Sequence, residues 1–377
     1  MQILIISRGI TPVTTTSLST AERSLYRLGR ELSQMGHDIA ITSPHFAHQV
    51  SGMRNKDRIR FYLTNHGHPQ QQLEEICKFL RKWEWDLVHV DGALGHIPKI
   101  KTIVKCPVVG FVYGGLPVDQ KARDLLHLDK GIEQADALLC HSERVKGEIL
   151  AASPAAAAKT TVLGSGVDTS FFQPRLAGKA KAILQASGIG MRKVLLFTGR
   201  LEREKGLVSL QKAVFALPAE LRSKIVILVV GQDAPAGQTT EPNRKEIHDL
   251  WTTKGCPMAW LGSRPPHEFP AIYNAAFVHV CSSSYEPFNL ASIEAGACGV
   301  PTIGSTGSGI EELIQHEENG LLTPSGDVNA LRVAIERLLT EPDLAAKLGA
   351  NARQHAVDRW DWSLVADRYL AFYESLK

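Results

Sequence analysis

Two cations and two carboxylates stand in this sequence at spacings that suit one ligand. Arg200 and Lys205 lie in Gly199-Arg200-Leu201-Glu202-Arg203-Glu204-Lys205-Gly206. Glu286 and Glu294 lie in Ser282-Ser283-Ser284-Tyr285-Glu286-Pro287-Phe288-Asn289-Leu290-Ala291-Ser292-Ile293-Glu294. A guanidinium grips phosphate with a fork of N–H groups, and an ammonium acts on it as a point charge. A carboxylate accepts hydrogen bonds from hydroxyls. A ligand that carries both phosphates and hydroxyls is a sugar nucleotide. Gly199 and Gly206 let the backbone of the basic stretch approach such a ligand closely. Basic turns are common on their own, and this one gains meaning from the acidic stretch downstream.

Each stretch needs an element that aims it. Val194-Leu195-Leu196-Phe197-Thr198 reads as a buried strand that runs into the basic loop, and a helix over 207–215 follows. Phe277-Val278-His279-Val280-Cys281 reads as a second strand; serines and Pro287 then break it into a loop, and a helix opens near Asn289 carrying Glu294. In open α/β sheets ligands bind outside the carboxyl ends of strands, and a new helix offers free N–H groups to an anion. Further strands are expected over 225–231, 258–261 and 301–304, and helices over 244–254, 328–339 and 364–376. Arg264, just past 258–261, suits either stacking on a base or an ordinary place on the surface. Glu311 or Glu312 is expected to cap the helix after Ser305-Thr306-Gly307-Ser308-Gly309.

The first half repeats the alternation. Ile3-Leu4-Ile5-Ile6 is a strand, 8–20 a polar loop, 21–35 an amphipathic helix ended by Gly36, and 38–42 the next strand. A helix over 70–85 and strands over 87–90, 107–112, 137–140 and 161–163 follow. Strands alternating with helices make this a doubly wound α/β domain. His89, Asp91, Tyr113 and Ser142 sit at strand ends, where polar residues either line a cleft or simply meet solvent. The cations Arg23, Arg27, Arg30, Arg54, Lys56, Arg58, Arg60, Arg81 and Lys82 would suit an anionic acceptor or peripheral contact with a lipid surface, although a solvated face is the commoner reason for such a run.

Bulk properties bound the rest. A chain of 377 residues suits two domains. Its 44% hydrophobic and 21% charged residues are a globular composition, and a net charge of +3 gives no reason to expect nucleic acid. No run has the apolar length of a membrane span, and the first residues read as a strand rather than a leader. The six cysteines have no paired spacing and no histidine cluster beside them, which favours reduced thiols in a cytoplasm over a zinc site. No Gly-x-Gly-x-x-Gly follows the first strand, so a nicotinamide dehydrogenase is not indicated.

Taken in order, these motifs resemble the family-4 retaining glycosyltransferases of GT-B architecture. The most specific piece is Glu286-x7-Glu294, set in Tyr285-Glu286-Pro287-Phe288 and Glu294-Ala295-Gly296-Ala297-Cys298-Gly299-Val300-Pro301. Gly199-Arg200-x4-Lys205-Gly206 comes next; Gly36-His37, Gly166-Val167-Asp168 and Asn319-Gly320-Leu321-Leu322 add support. The resemblance implies two Rossmann-like, doubly wound domains facing across a cleft. It implies an acceptor domain over 1–170, completed by the helix 363–377, and a nucleotide-sugar domain over 171–362. It implies that Arg200 and Lys205 hold the diphosphate, that Glu286 meets the transferred sugar, and that Glu294 accepts the ribose hydroxyls. The N–H groups of Phe288, Asn289 and Leu290 would face sugar and phosphate, with Gly199 and Arg264 also on the donor side. It further implies a metal-independent reaction without a cofactor, from a UDP-sugar in preference to a GDP-sugar. The acceptor would be a small molecule, a glycan or a lipid-linked sugar, as in glycan or cell-envelope synthesis.

The sequence departs from the family pattern in places. Ser19 and Thr20 stand where a Gly-Gly pair is frequent, and Tyr113 where many members carry a histidine. Glu-x-Phe-Gly reads Glu286-Pro287-Phe288-Asn289, and the Asn289 amide is expected to reach the donor. Ser19, Thr20, Tyr113 and Ser142 are the candidates for the acceptor side, with acceptor loops expected over 10–20, 46–57 and 114–119. A GT-B sugar-nucleotide epimerase and a non-catalytic sugar-nucleotide-binding subunit are the rival readings.

Overall fold

The computed structural model describes residues 1–14, 17, 19–44, 52–64, 69–117, 119–175, 177–231 and 241–377. Parts of the expected acceptor loops, namely 15, 16, 18, 46–51 and 118, lie outside the described residues, as does most of the polar loop after the strand at 225–230. The chain divides into two compact units, Met1–Gly166 with Trp362–Lys377, and Val167–Asp361. The division falls at Gly166/Val167 rather than at 170/171, because Val167 already bridges to Asp361 within the second unit.

The first unit is built on β1 (Gln2–Ile6), β2 (Asp38–Pro44), β3 (Gly52–Lys56), β4 (Ile59–Thr64), β5 (Leu87–Asp91), β6 (Val108–Val112), β7 (Ala137–Cys140) and β8 (Thr160–Val162). Its helices are α1 (Thr20–Gln34), α2 (Pro69–Leu80), α3 (Ile97–Lys101), α4 (Gln120–Leu125), α5 (Leu128–Gln134) and α6 (Glu143–Ala152). The sheet order is β3-β4-β2-β1-β5-β6-β7-β8. Every pairing is parallel except β3 with β4. That edge hairpin corrects the reading of 46–57 as loop. Its turn places Asp57 and Arg58 at φ 52° and 63°, the left-handed conformation that a two-residue hairpin turn demands. The helix expected over 70–85 ends at Leu80.

The second unit carries β9 (Lys193–Thr198), β10 (Ile225–Val230), β11 (Met258–Gly262), β12 (Val278–Cys281), β13 (Thr302–Ser305) and β14 (Gly320–Thr323). Around them lie α7 (Ala177–Ala186), α8 (Leu207–Phe215), α9 (Ala219–Ser223), α10 (Glu241–His248), α11 (Phe269–Asn274), α12 (Leu290–Ala297), α13 (Val328–Thr340) and α14 (Pro342–Trp360). The last helix, α15 (Trp362–Glu374), returns to the first unit. The six-stranded sheet runs β11-β10-β9-β12-β13-β14, parallel throughout. Both its faces are buried. Leu195, Phe197, Ile225, Ile227 and Val229 enter one apolar cluster, while Val194, Leu196, Val226, Leu228 and Val230 enter another. Successive side chains of a strand point to opposite faces, so a continuous apolar run supplies both cores at once. The helix expected over 244–254 is α10 followed by a π-helical turn at Asp249–Thr253.

Candidate active site

The strand order fixes where the second unit can bind. From β9 the chain winds outward through β10 and β11, then returns to place β12 on the other side of β9. β9 and β12 therefore flank the point where the winding reverses, and their carboxyl ends frame the crevice that doubly wound sheets offer to ligands. The loop after β9 holds Gly199 to Gly206. The loop after β12 holds Ser282 to Asn289. Both charged stretches singled out in the sequence thus emerge side by side.

Backbone contacts lock these two loops together. Gly206 has φ 78°, and a Cβ there would stand 2.0 Å from the Ser282 carbonyl oxygen. The Ser282 hydroxyl donates to the Gly206 carbonyl at 2.9 Å, and the Ser284 N–H donates to the Glu204 carbonyl at 2.7 Å. A third loop closes on the second: the Gly309 N–H donates to the Glu286 carbonyl at 2.7 Å, and a Cβ on Gly309 would meet the Pro287 carbonyl oxygen at 2.0 Å. Only glycine permits such approaches.

On this frame the Lys205 ammonium meets the Glu286 carboxylate at 3.0 Å, with both side chains largely buried. The Ser283 hydroxyl reaches the same carboxylate oxygen at 3.4 Å. Arg200 is half exposed and pairs with Glu202 at 3.1 Å. Burial pushes the Glu202 carboxyl up, and Arg200 opposes the shift. Arg264 is tied to its own turn, donating to the Leu261 carbonyl at 3.0 Å and pairing with Glu268 at 3.6 Å.

The start of α12 supplies a second kind of group. Asn289 is the N-cap: its side-chain oxygen accepts from the Ser292 N–H at 2.7 Å, and its amide donates to the Cys281 sulfur at 3.0 Å. Helix capping thus occupies the amide oxygen, and β12 one of the two amide protons. Its φ of −96° is also unstrained. The Phe288 ring is buried against Trp360, at 5.4 Å between centroids. Leu290 opens the helix, where N–H groups have no partner within it. Glu294, one helical turn on, accepts from the Tyr273 hydroxyl at 2.8 Å. Glu311 accepts from the Gly307 N–H at 2.9 Å, inside its own loop, and so does not cap the turn Gly309–Glu312 from its start.

In the first unit the carboxyl ends of β1, β5 and β6 gather a separate cluster. Arg8 pairs with Glu22 at 3.2 Å and lies 4.8 Å from the centre of the Tyr113 ring. The Tyr113 hydroxyl donates to the Asp91 carboxylate at 2.9 Å. His89 lies 3.8 Å from Asp91 and 2.8 Å from the Tyr373 hydroxyl. Ser19 is the N-cap of α1, and its hydroxyl bonds to Glu22. Thr20 is exposed at the first position of that helix. Ser142 is fully buried, and its hydroxyl caps α6 by accepting from the Val145 N–H at 3.2 Å. The sequence reading passed over Glu22, although Ser19-Thr20-Ala21-Glu22 has the spacing of a capping box. It also passed over Tyr273, whose link to Glu294 has no local signature.

Residues 21–171 match the family described as Glycosyltransferase Family 4, and residues 180–355 match Glycosyl transferases group 1. The chain belongs to the family-4 glycosyltransferases. It is 27% identical over 254 residues to the alpha-maltose-1-phosphate synthase of Mycolicibacterium smegmatis, a match covering 65% of this chain and 64% of that one. It is 30% identical over 249 residues to a D-inositol 3-phosphate glycosyltransferase of Corynebacterium urealyticum, covering 65% and 58% of the two. The matched stretch thus spans less than two thirds of either enzyme. In fold this family-4 chain is similar to the sucrose-phosphate synthase of Thermosynechococcus elongatus, with a TM-score of 0.81, 23% identity, and 100% and 99% of the two chains covered. It is likewise similar to HepE of Anabaena in complex with UDP-glucose, with a TM-score of 0.80, 19% identity and both chains covered in full. The architecture is GT-B, two parallel-sheet α/β domains.

Proposed function

We propose that this chain transfers a glycosyl group from a nucleoside-diphosphate sugar to an acceptor hydroxyl, with retention at the anomeric carbon. The observation that carries this reading is the Lys205–Glu286 pair, 3.0 Å apart where the sheet of the second unit reverses its winding. It joins a phosphate-seeking cation to a hydroxyl-seeking carboxylate on one rigid frame. Lys205 and Arg200 hold the diphosphate, and Glu286 accepts hydroxyls of the transferred sugar. The N–H groups of Phe288, Asn289 and Leu290 face sugar and phosphate, and Glu294 holds the ribose. Gly199 and Arg264 complete the donor side. A UDP-sugar is favoured over a GDP-sugar.

The departing diphosphate gains charge as its bond to the sugar breaks. Preorganised cations and N–H groups stabilise that charge without reorganising, and such stabilisation usually contributes more to the rate than any other single effect. In this reading they take the place of a divalent cation, and no cofactor beyond the donor is required. Ser19, Thr20 and Tyr113, beside Arg8, belong to the acceptor side of the first unit. There a small molecule, a glycan or a lipid-linked acceptor would be held. Five buried thiols and one half-buried, none paired, suit a reducing compartment such as the cytoplasm. No helix among the described residues is long and apolar enough to cross a membrane.

A thermal-shift screen of UDP-, GDP-, ADP- and TDP-sugars tests the reading, since a ligand of the folded state raises its stability. A UDP-sugar should give the largest shift. Arg200→Ala and Lys205→Ala should then each slow transfer by about 10²–10³-fold. Transfer at the normal rate in both would overturn the site. Binding without turnover on a broad acceptor panel would identify a non-catalytic subunit instead. An altered sugar recovered without acceptor would identify an epimerase.

A further inference from the structure

Helices α2, α3 and α5 of the first unit wall an open groove of about 660 Å³ that the proposed reaction does not use. Leu73, Cys77, Lys78 and Arg81 line it from α2 and the residue just past its end. Their three- and four-residue spacings put them on one helix face. Ile76, Phe79 and Leu80 of the same helix enter the core instead. Pro98 and Lys99 form the wall from α3, and Lys130 that from α5. Gly95 fixes this second wall, since a Cβ there would stand 2.2 Å from the Leu126 carbonyl oxygen. Leu126 adjoins the lining residue His127 and is 56% exposed.

The charges on this groove are unbalanced. Lys78, Arg81, Lys99 and Lys130 are exposed, and none has an ion-pair partner among the described residues. Their neighbours differ: Lys101 pairs with Asp136 at 2.7 Å and Arg123 with Asp129 at 3.2 Å. Among the described lining residues only Glu74 is acidic. Burial pushes the Cys77 thiol up, while Arg81 and Lys99, from opposite walls, act against that rise, so both cations lie close to the floor.

We propose that this groove docks the protein on an anionic lipid surface, Lys78, Arg81, Lys99 and Lys130 meeting lipid phosphates and Leu126 entering the acyl boundary. Charge complementarity names the occupant. Four cations without partners call for a surface dense in negative charge, and each cation near such a bilayer strengthens attachment about fivefold. A free phosphate would leave the apolar floor of Leu73, Cys77 and Pro98, and the exposed Leu126, without a use. An acyl chain covers both. Gly95 stands four positions after Asp91, which is at most about 14 Å of chain. Docking therefore holds the carboxyl end of β5, on the acceptor side, near the bilayer. Only that last consequence rests on the acceptor reading of the first unit; the attachment does not.

Vesicle flotation of the full chain tests the docking and reads nothing of catalysis. The protein should float with vesicles of equal parts phosphatidylglycerol and phosphatidylcholine, stay behind with phosphatidylcholine alone, and be released by salt. Lys99→Gln with Lys130→Gln should weaken attachment by about 25-fold, while melting as the wild type does. Leu126→Ser should weaken it too, without changing the charge. Arg54→Gln with Lys56→Gln, which removes the same charge from the exposed strand β3, should float as wild type. Equal loss in that control pair means attraction by net charge alone and overturns the proposal. So does equal flotation with both kinds of vesicle, or with neither. Calorimetry with inorganic phosphate separates the sources: phosphate binding that Lys99→Gln with Lys130→Gln abolishes, with no flotation, makes this a soluble-anion site. A dimer in solution that the same pair dissociates makes the face a contact between copies. Either result overturns docking on lipid.

Discussion

At the scale of single residues, Lys205 and Glu286 stabilise one another before any ligand arrives. Removing one partner of a buried pair leaves a charge without compensation, whereas removing both is far less costly. Lys205→Ala should therefore lose about 2–3 kcal/mol of stability, and Lys205→Ala with Glu286→Gln should regain much of it. Urea unfolding of the single and double variants measures this. Burial holds two imidazoles far below their ordinary range: His279 at about 3, and His141 at about 4 despite a hydrogen bond it donates to the Gly164 backbone. Both are neutral when folded. Once unfolded, each takes up a proton below about 6.5. The unfolded chain therefore binds more protons across the window from 6.5 down to about 4, and stability falls as pH falls. The expected slope approaches about 1.4 kcal/mol per pH unit for each histidine. A flat stability profile between pH 6.5 and 4.5 would contradict this. The meeting of Lys205 and Glu286 was foreshadowed in the sequence, because each lies on a loop that follows a readable strand. Tyr273 was not, since its bond to Glu294 joins separate helices, and Thr198 meets His279 across 81 positions.

At the scale of elements, the site is held by loop-to-loop contacts rather than by helix packing. Gly206 both ends the basic loop and begins α8, at φ 78°. Gly206→Ala would add left-handed strain and a clash with the Ser282 carbonyl. We expect a loss of about 2–3 kcal/mol and displacement of Lys205 from Glu286. Thermal unfolding and nucleotide binding of that variant give the check. Strand and helix alternation was legible almost throughout, because apolar runs bounded by glycine and proline leave little choice. The hairpin β3–β4 was hidden by its turn. Asp57-Arg58 lacks the Asn-Gly or Asp-Gly signature, yet Ile59, Phe61 and Leu63 alternate with Arg60 and Tyr62 as a half-buried strand should. Arg60 is held there by Asp38 at 2.8 Å and by stacking over Trp83.

At the scale of the whole chain, the first unit is discontinuous in sequence. Helix α15 gives it Val365, Ala366 and Tyr373 at 0% exposure, together with the Tyr369 bond to the Gly164 carbonyl and the Tyr373 bond to His89. Trp362 packs so closely on Gly166 that a Cβ there would lie 2.6 Å from the indole. A chain cut after Asp361 should lose amide-exchange protection in β1 and β5 while β9 and β12 keep theirs. Equal protection in both sheets would contradict this. That arrangement also bears on biosynthesis. A ribosome emits the strands of the first unit early, yet they lack an essential partner until α15 has emerged, and Tyr373 trails His89 by 284 positions. At ordinary translation speeds, the interval between Gly166 and α15 is roughly ten to forty seconds. The second unit, contiguous from Val167 to Asp361, is free to fold within that interval. The amino-terminal sheet, though made first, is thus the later to mature, and through that wait its apolar strands are the segment most in need of a chaperone.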